Sequence, residues 1–91
     1  MFIVCVYDIP NDKRRTKLFK SLHAWGRPIQ YSVFEFDLKQ SQREKLRQKI
    51  KGIIDPTEDK VRLYELCGSC LVRVEVIGEG EITKTESVYV V

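Results

Sequence analysis

The sequence predicts an α+β fold with the ferredoxin-like arrangement, in which two helices cover one face of a mainly antiparallel sheet. Two amphipathic helical segments alternate with about four extended segments along the 91 residues, a length that supports one modest core. A Gly-Glu stretch then separates a short β-prone tail from the rest. We therefore predict one domain over residues 1–78, followed by a linker and a C-terminal strand over residues 79–91.

The first extended segment runs from Phe2 to Asp8 and is apolar on both alternating faces until its last residue. Such a run predicts a strand that is covered on both sides, in the middle of the sheet. The Asp8 carboxylate is then expected at the rim of the sheet, where ligands often bind in α/β folds. A turn or capping role is the alternative, but Asn11 and Asp12 already supply the cap of the next helix.

The first helix is predicted from about Asp12 to Trp25, before a Gly-Arg-Pro stop. Arg14 and Arg15 lie in its first turn, where the helix dipole disfavours each cation by about 0.3–1 kcal/mol. Because a placement that costs stability suggests a function, we expect at least one of these residues or Lys17 to contact phosphate beside the rim. The alternative is that these charges only solvate the helix.

Two apolar alternations follow over residues 28–38, and they slip by one position near Ser32-Val33. A slip of this kind marks a bulge or a break. We therefore expect either one long bent strand or two short strands that meet at this point.

The second half of the chain begins with a capping box, Ser41-Gln42-Arg43-Glu44, which predicts a helix that continues to about Ile54. Strands are predicted over residues 59–66 and, from a clear alternation of valine with charged residues, over residues 71–77. We expect the tail at residues 87–91 to pair with a sheet edge on a second protomer, because an open apolar edge is a liability. The uncovered sheet face also favours a homodimer.

The three cysteines and the absence of a recognisable signal segment argue against a disulfide framework. Cys5 lies in the first strand and is expected to be a buried apolar side chain. Cys67-Gly68-Ser69-Cys70 is a lone C-x-x-C without the further ligands of a structural zinc site, so a turn with buried thiols is expected. No apolar run reaches the ~20 residues of a membrane helix, so we expect a cytoplasmic protein without a membrane partner.

Charge is distributed unevenly along the chain. Residues 1–54 contain 12 basic and 5 acidic residues, whereas residues 55–91 contain 4 basic and 8 acidic residues. A basic half on a small domain indicates a polyanionic partner such as nucleic acid. Ordinary solvation of the helix surfaces is the alternative.

Four motifs carry a family resemblance. They are YDIPNDKRR at residues 7–15, QYSVFE at 30–35, DKVRLYELC at 59–67 and VEVIG at 74–78. Together, in this order and spacing, they resemble the small CRISPR-associated endoribonuclease family, the ferredoxin-like adaptation protein that partners the CRISPR integrase. The likeness covers about residues 1–78, and the last residues match only loosely.

The resemblance implies a homodimer with exchanged C-terminal strands and a metal-dependent phosphodiesterase activity on RNA or DNA. It also implies a part in spacer acquisition, where the dimer bridges two integrase dimers and holds duplex DNA. The family's metal-binding aspartate falls on Asp8 and its tyrosine on Tyr7, which we assign as the catalytic residues. Its nucleic-acid-binding positions fall on Arg14, Arg15, Lys17, Ser32 and Phe34. Many members have a basic residue where this chain has Pro28, and we assign the neighbouring Arg27 as a nucleic-acid-binding residue as well.

Magnesium prefers oxygen ligands and is usually held by one or two carboxylates, waters and substrate phosphate. We therefore expect a Mg2+ site made by two Asp8 carboxylates across the dimer two-fold axis and closed by the scissile phosphate. The sequence offers no clear general base, because His23 falls near the far end of the first helix. A non-catalytic adaptor that binds duplex DNA and bridges integrase dimers is the main alternative, and a generic RNA-binding module is a weaker one.

Overall fold

The computed structural model describes residues 1–71, 73 and 75–78 of the chain. Its elements are, in order, β1 (Phe2–Asp8), α1 (Asp12–Leu22), β2 (Arg27–Gln30), β3 (Val33–Asp37), α2 (Gln40–Ile53), β4 (Lys60–Leu66) and α3 (Gly68–Leu71). The strands form one sheet in the order β2-β3-β1-β4, and every neighbouring pair is antiparallel. The βαββαβ succession and this strand order confirm the ferredoxin-like prediction. In the described part of the chain, no helix is long and apolar enough to cross a membrane.

β1 occupies the centre of the sheet, between β3 and β4, as its two apolar faces predicted. Ile3, Cys5 and Tyr7 are buried with the apolar residues of α1 and α2. Cys5 is fully buried, as expected, and burial raises the pKa of its thiol to about 12. The alternate residues of β1 point to the other face of the sheet, which the helices leave open.

The start of α1 was predicted correctly, because the Asn11 side chain accepts a hydrogen bond from the Arg14 backbone N–H at 2.9 Å. The helix ends at Leu22 rather than Trp25, since residues 23–25 form a turn in which Trp25 N–H donates to the Leu22 carbonyl. Gly26 then passes close to β3. A Cβ at this position would clash with the Glu35 carbonyl oxygen and the Phe36 ring, so only glycine permits the approach.

The segment after this turn forms two short strands that meet at Tyr31-Ser32, which is the second of the two predicted alternatives. The pairing of β2 with β3 shifts between Pro28 and Gln30. That irregularity accounts for the slip between the two apolar alternations.

The predicted capping box at residues 41–44 is wrong by two positions. α2 begins at Gln40 with Lys39 as its N-cap, and the Gln42 side chain accepts a hydrogen bond from the Lys39 N–H at 2.9 Å. Gln42 therefore takes the position in the capping box that the sequence assigned to Glu44. The buried stripe of α2 is as the helical spacing predicts, with Leu46, Ile50 and Ile53 in the core.

The end of the described chain differs from the prediction. Most of the C-x-x-C segment lies in α3 rather than in a turn, and Cys67 is exposed rather than buried, with its Sγ 3.1 Å from the Ser69 Oγ. Residues 73 and 75–77 lie outside any strand, so the predicted strand over 71–77 is not formed there. Alternation shows which face a strand would bury, but it does not provide the edge with which that strand must pair. The predicted C-terminal strand at 79–91 lies outside the described residues.

Candidate active site at the rim of the sheet

Asp8 ends β1 with an exposed side chain on the open face of the sheet, and it stands directly opposite Lys60 of β4. Among the described residues, none donates a hydrogen bond to its carboxylate. The carboxylate is therefore available to a ligand, as its position at the end of a buried strand predicted.

A shallow groove of about 320 Å³ lies beside Asp8, and Lys60, Arg62 and Tyr64 contribute to its lining. The antiparallel register pairs these residues with Asp8, Val6 and Val4, so all of them share the open face. The Arg62 guanidinium lies 3.4 Å from the Tyr64 hydroxyl. The sequence analysis missed these three residues. Their alternation with inward-facing Val61 and Leu63 was the available signal, but it needed the register of β4 against β1.

Arg14 lies on the helix side of the same rim and is held by two carboxylates. Its guanidinium donates to Asp59 at 2.8 and 3.2 Å and to Glu58 at 2.7 Å. The Asp59 side chain is fully shielded from solvent and also accepts the Asp55 backbone N–H at 2.8 Å. These donors, the Arg14 guanidinium foremost, hold the pKa of Asp59 below its usual value despite its burial.

Arg15 fixes the loop between β1 and α1. It donates to the Ile9 carbonyl at 3.0 Å and forms an ion pair with Asp12. Acidic partners therefore offset the cost of both arginines in the first turn of α1, which gives their position a structural explanation. Their contact with phosphate stays a prediction.

Tyr7 and Asp8 are neighbours in sequence but lie on opposite faces of β1. The Tyr7 ring is buried beside Phe34, with the ring centroids 6.4 Å apart, and its hydroxyl donates to the Tyr31 carbonyl at 3.0 Å. Its backbone N–H donates to the Ser32 carbonyl, and burial raises the pKa of the phenol. Tyr7 thus anchors the turn between β2 and β3 to the central strand.

The other predicted nucleic-acid contacts are dispersed over the structure. Phe34 is fully buried among Tyr7, Phe19 and Phe36, so contact of its ring with nucleic acid stays a prediction that requires the core to open. Ser32 is half-buried in the turn between β2 and β3. Lys17 is exposed on α1, whereas Arg27 is exposed on the edge strand β2, across from Glu35.

The donor atoms at the rim fit Mg2+ only in part. Carboxylate oxygens suit this ion, and Asp8 offers one such group per chain. In residues 1–71, 73 and 75–78, no group of three or more His, Cys, Asp or Glu side chains could hold a metal. Waters, a substrate phosphate or the Asp8 of a second chain would have to supply the other ligands. His23 packs on Phe19 at the far end of α1 and does not approach Asp8.

The fold and this rim define a small ferredoxin-like domain that presents one carboxylate beside basic side chains on its open sheet face. Residues 1–74 match the family model described as CRISPR associated protein Cas2, and the chain therefore belongs to the Cas2 family. This result confirms the resemblance carried by the four sequence motifs.

Individual relatives agree with this assignment. The chain is 40% identical over 93 residues to "CRISPR-associated endoribonuclease Cas2 1" of Chloroflexus aurantiacus, and the match covers 100% of both chains. Its fold is similar to a crystal structure of Streptococcus pyogenes Cas2, with a TM-score of 0.74, 28% identity, and coverage of 86% of this chain and 100% of that one. It is also similar to a chain of a "Partial Cas6-RT-Cas1--Cas2 complex", with a TM-score of 0.72, 30% identity, and coverage of 84% and 89%.

Proposed function

We propose that this chain is a metal-dependent endonuclease of the spacer-acquisition machinery, which cleaves phosphodiester bonds of RNA or DNA at a site built on Asp8. The observation that carries the proposal is the exposed Asp8 carboxylate, which has no hydrogen-bond donor among the described residues and faces Lys60 across the strand pair. The name of the Chloroflexus relative, an endoribonuclease, supports the same activity.

The charges at the rim suit a phosphodiester substrate. Lys60 and Arg62 attract a phosphate to the open face, and they stabilise the charge that develops on its oxygens when the bond is cleaved. A carboxylate alone would repel the phosphate, so Asp8 requires a cation between the two groups. Mg2+ would supply Lewis-acid stabilisation at the scissile phosphate when it is bound there. We place the site on the two-fold axis of a homodimer, where a second Asp8 doubles the number of carboxylates.

The test is cleavage of labelled single-stranded RNA and duplex DNA by the purified protein, with Mg2+ or with EDTA. Asp37→Asn is the matched control for Asp8→Asn. Asp37 also ends a strand, but it pairs with Phe2, at the opposite end of β1 from Asp8. We expect cleavage that depends on Mg2+, is lost in Asp8→Asn and is retained in Asp37→Asn. Equal cleavage by the wild-type protein and Asp8→Asn would contradict the proposed site.

A structural adaptor is the second candidate. Two observations favour it: no general base lies beside Asp8 among the described residues, and α1 presents three exposed lysines, Lys13, Lys17 and Lys20. Such a row can hold duplex DNA through its phosphates without reading sequence. The solved complex whose title pairs Cas1 with Cas2 supports an integrase partner for this chain. Absence of cleavage over a range of pH, with DNA binding and integrase assembly intact in Asp8→Asn, would favour the adaptor.

A further inference from the structure

We propose that Tyr31 and the groove beside it form a binding site for one unpaired base of a single-stranded nucleic acid. The base stacks on the Tyr31 ring, next to Arg15 and Thr16 of α1. The inference rests on the proposed function only for the role of the strand as a substrate, because base binding can be measured without a metal and without cleavage.

The first observation is the placement of Tyr31 itself. Its side chain is 96% exposed, whereas its backbone is held by the central strand. The Tyr31 carbonyl accepts the Tyr7 hydroxyl at 3.0 Å, and the next carbonyl, that of Ser32, accepts the Tyr7 backbone N–H at 3.1 Å. An aromatic ring on a fixed backbone can receive another flat ring at little cost in conformational freedom. Tyr31 therefore has the features of a stacking platform.

The second observation is a groove of about 340 Å³ beside Tyr31, between α1 and the turn that joins β2 to β3. Tyr7 and Phe19 add two further aromatic residues to its lining, and Arg15 and Thr16 contribute polar groups. This volume lies at the lower end of the range of about 300–1,000 Å³ for small-ligand sites. The groove is thus suited to a single base rather than to a larger group.

The charge around the groove suits a nucleic acid. Burial raises the pKa of the Tyr7 phenol, and the charge of nearby Arg15 opposes that rise, so this charge reaches the inner end of the groove. The planar guanidinium is also a group on which a base can stack. Thr16 borders both the groove and the surface formed by the exposed lysines of α1. Such a combination of aromatic rings and cations is typical of sites that bind single strands.

The groove lies on the helix side of the sheet, because Tyr7 and Phe19 belong to the core that α1 covers. Asp8 and the proposed two-fold axis lie on the open face, so a second copy packed there leaves the groove accessible. The site also requires no backbone group of the edge strand β2. A base inside a duplex is already stacked and paired, and it cannot reach Tyr31 unless it leaves the duplex. We therefore expect the site to select single strands.

The experiment measures binding of fluorescein-labelled single strands of RNA and of DNA by anisotropy in EDTA, at salt concentrations from about 50 to 200 mM. A blunt duplex of the same sequence is the comparison. Tyr31→Ala should lose about tenfold in affinity for a single strand, because the stacking contact is removed. It should keep the wild-type slope of log K against log salt, because no charge is removed. A loss confined to RNA or to DNA supports the site and identifies the strand that it accepts.

Two further variants of Tyr31 are the matched controls. Tyr31→Phe keeps the ring and should keep the wild-type affinity, whereas Tyr31→Leu is apolar without a flat ring and should lose affinity as Tyr31→Ala does. The affinity for the blunt duplex should be the same in all three variants. The position is checked with a single strand that contains 5-iodouridine, which should crosslink to Tyr31 on irradiation, as mapped by mass spectrometry of the digested protein.

Equal affinities of the wild-type protein and Tyr31→Ala for single strands would overturn the proposal. Equal losses in Tyr31→Phe and Tyr31→Ala would also overturn it, because the hydroxyl and not the ring would then make the contact. Crosslinks that lie only outside the groove would leave the groove to another occupant, such as a peptide. A protein that stacks a base on Tyr31 but never cleaves with Mg2+ would contradict the nuclease proposal alone.

Discussion

Asp8 and Asp59 lie at the same edge of the sheet, because Asp8 ends β1 and Asp59 directly precedes the antiparallel strand β4. Their surroundings are nevertheless opposite. The Asp59 side chain is shielded from solvent and bonded to Arg14 and to the Asp55 backbone, whereas Asp8 is exposed and has no donor among the described residues. One acid at this rim is thus committed to an ion pair, whereas the other is left accessible to solvent.

The largest effect should follow from damage to the core between the sheet and the helices. Phe34→Ala removes a fully buried ring that contacts Tyr7, Phe19 and Phe36. We expect it to lower the free energy of unfolding by about 3–5 kcal/mol, measured by urea denaturation. Tyr31→Ala is the control on the same hairpin, because Tyr31 is 96% exposed, and it should change stability by less than about 0.5 kcal/mol. Equal effects of the two variants would show that burial of the ring does not determine its contribution to stability.

The second effect separates the two acids directly. Asp59→Asn leaves Arg14 without its main charged partner in a solvent-shielded position, so the melting temperature should fall by several degrees. Asp8→Asn should leave it unchanged, since no described residue donates to Asp8. Thermal melts followed by circular dichroism make this comparison. A lower melting temperature in Asp8→Asn than in Asp59→Asn would show that Asp8, and not Asp59, is the acid that stabilises the fold.

The same pair gives a pH dependence with a definite sign. The folded-state pKa of Asp59 is lowered, mainly by Arg14, so its contribution to stability is present above the unfolded value of about 3.9. That contribution is lost as the pH falls through the folded-state pKa. The difference in melting temperature between wild type and Asp59→Asn should therefore shrink below about pH 4. A difference that stays constant into stronger acid would show that Asp59 does not act through its charge.

The smallest effect concerns Tyr7. Tyr7→Phe keeps the buried ring and removes the hydrogen bond to the Tyr31 carbonyl, which should cost about 0.5–1.5 kcal/mol in urea denaturation. We expect cleavage below the melting temperature to persist, because the Tyr7 hydroxyl faces away from Asp8. Loss of cleavage in a folded Tyr7→Phe protein would instead support the catalytic role that the family resemblance implies.

The local patterns of the sequence predicted the parts of the fold that local physics determines. The apolar run of β1 predicted its central position in the sheet, and Asn11 predicted the start of α1. The slip at Ser32-Val33 predicted the break between β2 and β3. The partners of Arg14 could not be predicted in this way, because 45 residues separate it from Asp59. The groove residues of β4 depended in the same way on a strand register that no local pattern specifies.

Asp59 and Lys60 are consecutive residues whose side chains point to opposite sides of the sheet. The bond between Arg14 and Asp59 therefore sets the residue at which β4 begins, and with it the side on which each later residue of the strand emerges. Insertion of one residue directly after Asp59 would turn Val61 and Leu63 towards solvent and Lys60 and Arg62 towards the helices. A change in length at this junction should therefore be tolerated far less than a change in the residues of the loop before Asp59.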